Sequence, residues 1–460
     1  MSDTTLSAAP RPAPGPPRAY SFPRFEAHTL DNGLRVLVAP VHKLPIVSVT
    51  LLIDAGSTAE VGGSDGVASL TARALLEGTD TMSGADLTIR AETLGASLNA
   101  DADWDAATVS TTVLSSRLRE ALALLASVVL RPAFPAHDVD RLKAERLAEI
   151  LQVRAEPRGL ADEMLGRFVY DEASRFSRPE LGSAAVVASL NRDDLAQFHG
   201  ERYRPGVSTL IFAGNVSAID ALKLTRELLG GWRGQTPTPS ATTDLPARRA
   251  RAVHIVEKHD APQSELRVGH VGLTRANPDY FPLTVMNAVL GGLFSSRINL
   301  NLREAHGYTY GAFSGFDWRR QAGPFTVQSA VRTDATVAAA GEIIAEVDRI
   351  RSEAIAEREL SLAADYLAGV FPIRYETTSD IARALSALVV YGLPIDYFDR
   401  YRANITAVTA DDVLRVAREH LHPEELQIVI VGDPAQVRVP LEAMQFGPVT
   451  VYDAEGSIKT

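Results

Sequence analysis

The segment Gly66-Val67-Ala68-Ser69-Leu70-Thr71-Ala72-Arg73-Ala74-Leu75-Leu76-Glu77-Gly78-Thr79 is spaced like a metal-binding helix but lacks the ligands. In an inverted H-x-x-E-H motif, two histidines one helical turn apart hold a zinc ion. The glutamate just before the second histidine activates a water molecule. Here the three positions are Ser69, Ala72 and Arg73. Serine is a poor zinc ligand, alanine cannot act as a base, and a permanent guanidinium cation repels a divalent ion. A helix built this way cannot carry out the metal step alone.

A second group of residues is chemically equipped. Gly291-Gly292-Leu293-Phe294-Ser295-Ser296-Arg297 leads into Asn301-Leu302-Arg303-Glu304 and then Gly307-Tyr308-Thr309-Tyr310-Gly311. The Arg303 fork can hold a carbonyl or carboxylate, and a tyrosine hydroxyl can donate to a developing oxyanion. Residue types alone favour a plainer reading. A tyrosine in a strand after a glycine turn is often core, and an arginine near a helix end often meets the last carbonyls. Gly291-Gly292 is not a phosphate loop, since neither Lys-Ser/Thr nor a dinucleotide glycine pattern follows. There is no Gly-x-Ser-x-Gly elbow, and the absence of cysteine excludes thiol catalysis, disulfides and thiolate metal sites.

A chain of 460 residues must position these groups, too long for one ordinary core and suited to at least two domains. The net charge of −11, with no basic stripe, argues against nucleic acid as a partner. No run of 18 apolar residues predicts a membrane span. Residues 1–22 read as a disordered Pro/Ala tail without a secretory pattern, so the expected location is cytoplasmic, or periplasmic if a signal has been removed.

An internal repeat organises the rest. Asn191-Arg192-Asp193-Asp194-Leu195, Tyr203-Arg204-Pro205 and Leu210-Ile211-Phe212-Ala213-Gly214 align without a gap, at an offset of 218, with Thr409-Ala410-Asp411-Asp412-Val413, Leu421-His422-Pro423 and Ile428-Val429-Ile430-Val431-Gly432. Each copy reads as a capped helix, an X-Pro turn and a buried strand ending in glycine. His420 and His422 fall where the first copy has no histidine, so they read as surface residues rather than metal ligands. A Pro/Thr/Ser-rich linker over 234–250 separates the copies. Strands are expected at 34–38, 46–53, 252–257 and 263–273. Helices are expected near 66–78, 84–95, 115–130, 137–154, 279–303, 333–352 and 356–370, an α+β pattern.

Asp31-Asn32-Gly33-Leu34-Arg35-Val36, Asp54-Ala55-Gly56-Ser57, the 66–79 helix, Tyr203-Arg204-Pro205 and Leu302-Arg303-Glu304 together give the chain a resemblance to the pitrilysin/insulinase-like metallopeptidases. It is most similar to the small bacterial branch and to subunits of mitochondrial processing peptidase, over residues 25–455. The resemblance implies two homologous α+β domains, 23–233 and 251–460, which pair with a partner chain into a clam-like chamber. It places the family's metal and base positions on Ser69, Ala72 and Arg73, all of them departures. A third family ligand, a glutamate about 75 residues downstream, falls near Glu149, with Glu145 one turn earlier. Read from the residues, both glutamates lie on a charged helix with Arg141, Lys143 and Arg146, where surface pairs are expected. The family's Arg and Tyr, seven residues apart and reaching across to the zinc half, fall on Arg303 and Tyr310. Tyr308 is the fallback, sharing the face of Tyr310 if the strand is regular.

The expected function is therefore the non-zinc subunit of a heterodimeric zinc metallopeptidase, active on peptides only within the assembly. Its partner would be a homologous chain bearing H-x-x-E-H and the zinc, while this chain binds no cofactor of its own. The alternative is a non-catalytic scaffold or peptide-binding protein of the same fold.

Overall fold

A computed structural model describes residues 19–237 and 248–459. Most of the expected tail and the centre of the expected linker lie outside the described residues. The first half forms a six-stranded mixed sheet from β1 (Glu26–Thr29), β2 (Arg35–Pro40), β3 (Ile46–Ile53), β4 (Asn99–Ala102), β5 (Ala107–Leu114) and β6 (Ser208–Gly214), in the order β1-β2-β6-β3-β5-β4. The second half has β7 (Ala252–Glu257), β8 (Gln263–Val271), β9 (Thr309–Phe316), β10 (Pro324–Arg332), β11 (Gln427–Gly432) and β12 (Val449–Tyr452), in the order β12-β7-β11-β8-β10-β9. The duplication is visible in the pairing. β6 runs parallel to β2 and antiparallel to β3, and β11 runs parallel to β7 and antiparallel to β8. Capping boxes at Asn191 and Thr409 start matching helices, Arg192–Arg202 and Ala410–His420.

Every residue of β6 and β11 is buried, so both faces of each sheet are covered. The covering is reciprocal. Helix Pro157–Val169 of the first half lies on β8 and β11 of the second, and helix Thr378–Val390 of the second lies on β3 and β6 of the first. Leu160, Met164, Leu165 and Phe168 thereby share a core with Val256, Val429, Val431 and Tyr452. Polar clips reinforce the seam. The fully buried Arg267 pairs with Asp162, Arg320 pairs with Asp54 at 2.7 Å, and the Ser48 hydroxyl meets Thr378 and Ser379 at 2.8 and 3.0 Å.

The expected 279–303 helix is broken. Tyr280–Asn287 widens into a π turn over Ala288–Gly292, and a second π turn, Leu300–Ala305, follows. Gly291 allows this turn to close on the sheet, because a Cβ there would lie 2.4 Å from the Ser314 hydroxyl. The expected disordered tail also ends earlier than residue 22. Tyr20 sits edge-on to Phe371, and Phe22, 5% exposed, stacks on Phe398 at 4.3 Å, so apolar burial fixes this end of the segment to the second half. Truncation by Phe22→Ala should cost about 3 kcal/mol, read from urea unfolding.

Burial holds three imidazoles, His199, His254 and His270, down to about 4. His254 lies in the seam, stacked on Phe168 at 3.9 Å and hydrogen-bonded to Gln427 at 2.9 Å. Its folded value lies below the ordinary value of about 6.5, so only the unfolded chain gains a proton as pH falls from that value toward 4. The stability attached to this neutral imidazole is complete above pH 6.5 and declines below it. The stability gap between wild type and His254→Gln should therefore shrink between pH 7 and 4, measured as paired thermal midpoints.

Candidate functional site

Helix Val67–Ala74 lies between β4, β5 and the helices Ala136–Ala155 and Arg192–Arg202. Its start is fixed by Glu60, whose carboxylate accepts the Gly66 and Ala68 amides at 2.9 and 3.0 Å and two Arg175 bonds at 2.7 and 3.0 Å. Gly66 has φ +95°, and a Cβ there would lie 2.6 Å from the Leu181 carbonyl, so no other residue suits this position.

Ser69 and Ala72 are buried on this helix, and Arg73 is partly exposed. Arg73 Nη1 donates to both oxygens of Glu149, at 3.1 and 3.3 Å, and its Nη2 reaches Glu145 at 3.4 Å. From the far side Arg146, only 4% exposed, meets Glu149 at 3.2 Å and donates to the Ser69 hydroxyl at 3.0 Å. The structure thus brings Ser69, Arg73 and Glu149 together, with Ala72 in the same helix turn. Arg141 and Glu145 make the expected surface pair at 2.6 Å, but Arg146 turns inward instead. Burial works against the Arg146 charge, and Glu149 partly offsets this. These residues do not fit a divalent metal. Two positions offer no donor suited to zinc, the third is a cation, and both Glu149 oxygens already accept from guanidinium groups. The sequence places Arg146 among surface pairs, but it lies three residues before Glu149, shares its helix face and is buried.

Arg303 and Tyr310 lie in the second half, in the second π turn and on edge strand β9. The Arg303 guanidinium sits over the Phe294 ring at 4.5 Å, and its buried Nη1 makes no hydrogen bond but pairs with Glu304 at 3.6 Å. Tyr310 is 91% exposed. The register between β9 and β10 slips here, with Ala312 opposite Ser329 but Thr309 opposite Val331, so Tyr310 and Gly311 form a bulge. The Thr309 hydroxyl stitches it, accepting the Gly311 amide at 3.0 Å and donating to the Ala330 carbonyl at 2.6 Å. The irregular strand separates the two tyrosines. Tyr308 is partly buried and stacks on His306 at 4.9 Å, while Tyr310 points to solvent.

A cavity of about 670 Å³ opens beside Arg146 and Glu149. It runs between the first half's Gly159–Tyr170 and Phe176–Gly182 and the second half's Ser314–Asp317, with Trp104 and Arg319 also in its wall. Neither Arg303 nor Tyr310 lines it. Burial, with Asp103 adding repulsion, pushes the Glu180 carboxyl up to about 7, so it can exchange a proton near neutrality. Sequence reading gave no signal for Glu180, whose setting is made by distant segments.

His420 and His422 are tied down rather than free at the surface. His420 pairs with Asp279 at 2.7 Å, and the His422 amide donates to His270 at 3.2 Å. Asp279, Glu419 and His420 converge, but Arg415 already holds both oxygens of Asp279. Among the described residues, no helix is long and apolar enough to cross a membrane.

Comparison with known proteins supplies the lineage. Residues 35–178 match the model for insulinase (peptidase family M16), and residues 189–367 match that for the peptidase M16 inactive domain. An uncharacterised zinc protease of Mycobacterium tuberculosis is 29% identical over 428 residues, 92% of this chain and 96% of that protein. A probable mitochondrial-processing peptidase subunit beta of Arabidopsis thaliana is 25% identical, covering 90% of this chain and 79% of its own length. The crystal structure of a peptidase M16 inactive domain from Pseudomonas fluorescens matches with a TM-score of 0.83 at 27% identity, over 89% of this chain and 98% of that one. With one peptidase family matched in both halves and relatives named zinc proteases spanning nearly the whole length, the chain belongs to the M16 (insulinase/pitrilysin) family of zinc-dependent peptidases.

Proposed function

We propose that this chain is the non-zinc subunit of a heterodimeric M16 peptidase. A homologous partner bearing H-x-x-E-H holds the zinc and its water. This chain closes the chamber and presents Arg303 and Tyr310 to the partner's reaction centre. The observation that carries the reading is a separation. The cavity beside this chain's own metal position is not lined by Arg303 or Tyr310, and Tyr310 stands 91% exposed on a bulged edge strand. Groups able to bind a carbonyl and stabilise an oxyanion thus lie outside the cavity beside a centre that could not use them. The likeness to a processing-peptidase subunit supports an assembly of two homologous chains.

In this assembly Arg303 fixes a substrate carbonyl or carboxylate through its fork, and Tyr310 donates to the oxygen that becomes negative when water adds to the peptide. Co-expression with a homologue carrying H-x-x-E-H, followed by native mass spectrometry, should give a heterodimer with one zinc and a metal-free isolated chain. Tyr310→Phe in that heterodimer should lower kcat about 100-fold with KM little changed, and Arg303→Ala should raise KM as well. Unchanged cleavage by both variants would overturn the assignment. A metal-free homodimer, with no affinity for the homologue, would replace it with a scaffold or peptide-binding role.

A further inference from the structure

The chain has not merely lost a metal site; the vacated position has been rebuilt around charge. Zinc in a centre of this layout would bring two positive charges to a glutamate and join the helix that carries the motif to the helix that carries the glutamate. Here two guanidinium groups supply the same charge to Glu149, Arg73 from helix Val67–Ala74 and Arg146 from helix Ala136–Ala155. Arg146 adds a second tie between those helices through its 3.0 Å bond to Ser69. Its side chain is 4% exposed, and its Nε is buried with no hydrogen-bond partner, so it is held by position rather than by solvent.

We infer that Arg73 and Arg146 are a built-in substitute for the divalent ion, and that Arg146 alone is enough to exclude a metal from this position. Arginine cannot shed its proton to admit an ion. Replacing Arg73 would free only half of Glu149, because Arg146 would still hold one oxygen and still direct Nη2 at residue 69. Any ligand introduced at residue 69 would meet a buried cation before it met zinc. The exclusion is therefore built from four positions, although the motif contains three. This inference rests on the isolated chain and does not depend on the heterodimer reading.

The test compares two purified variants of the full chain. The first carries Ser69→His, Ala72→Glu and Arg73→His. The second adds Arg146→Leu. Each is checked for folding by circular dichroism and thermal unfolding, stripped with chelator, and titrated with zinc against a competing metallochromic indicator. The first should remain substoichiometric in zinc after dialysis. The second should hold about one zinc per chain and bind it at least about 100-fold more tightly. Equal zinc affinity in the two folded variants would overturn the inference, and so would a folded second variant that takes up none. If the leucine variant does not fold, Arg146→Gln replaces it, keeping a donor toward residue 69 without the charge, with the same two outcomes. In the otherwise wild-type chain, Arg146→Gln should lower the thermal midpoint, and added zinc should not restore it.

Discussion

Each of the two sheets has two apolar faces, and its own half of the chain covers only one of them. That constraint shapes the rest of the molecule. The fully buried central strands β6 and β11 could not exist in an isolated half, because one face of each would lie open to water. The helices Pro157–Val169 and Thr378–Val390 resolve this by exchange, each crossing to the other sheet. The metal-site region is tied to the same exchange. Glu149 lies near the end of helix Ala136–Ala155, and only Glu156 separates that helix from the crossing helix that begins at Pro157. The position of Glu149 against Arg73 and the placement of the crossing helix on β8 and β11 are thus set by one continuous stretch of chain.

This explains which features could be read in advance. The repeat, the two capping boxes and strands such as Ile46–Ile53 follow from local rules, since hydroxyl or amide caps and short β-rich apolar runs act over a few residues. The exchange does not follow from them. The amphipathic faces of Pro157–Val169 and Thr378–Val390 say that each must be buried, but not against which sheet. The site divides the same way. Ser69, Ala72 and Arg73 were legible because a metal motif is defined by spacing within one helix. The inward turn of Arg146 and the shifted Glu180 carboxyl depend on residues distant in the chain, Ser69 for the first and Asp103 and Arg319 for the second. Tyr308 and Tyr310 parted company because a bulge, set by Thr309 and the register with β10, breaks strand alternation.

Exchanging an ion for guanidinium groups also changes the physics of the position. Zinc binds through donors that must be deprotonated, so its hold on a protein is lost with acid or chelator. The arginines are covalently present and always charged, so the tie between the two helices needs only that Glu149 stay ionised. Burying Arg146 is costly by itself. It is tolerated because Glu149 and Ser69 satisfy two of its nitrogens, against the repulsion of the Arg73 charge on the same carboxylate. The small residue at 69 belongs to this arrangement as much as the arginines do. A bulky or basic side chain there would compete with the Arg146 guanidinium for the space and the hydrogen bond it uses.

The two halves have thus diverged in opposite directions from one duplicated design. In the first, a cluster of charges has closed on itself, with Arg73 and Arg146 sharing Glu149, although the buried Arg146 Nε has no partner. In the second, the chemically capable groups are held loosely. Arg303 Nη1 is buried with only a 3.6 Å ion pair to Glu304, and Tyr310 is held out on an edge strand by a bulge that gives up regular pairing to place it there. An edge strand with an exposed aromatic is a site where other chains can add, and folds that gain nothing from such an edge tend to cover or charge it. Here the bulge is kept in order by the Thr309 hydroxyl, and the nearby Phe294 and Phe313 are also exposed. An open aromatic edge imposes a cost on an isolated chain that a facing surface would remove. An exposed tyrosine held on a bulged edge strand is a feature that a surface meeting another chain would use.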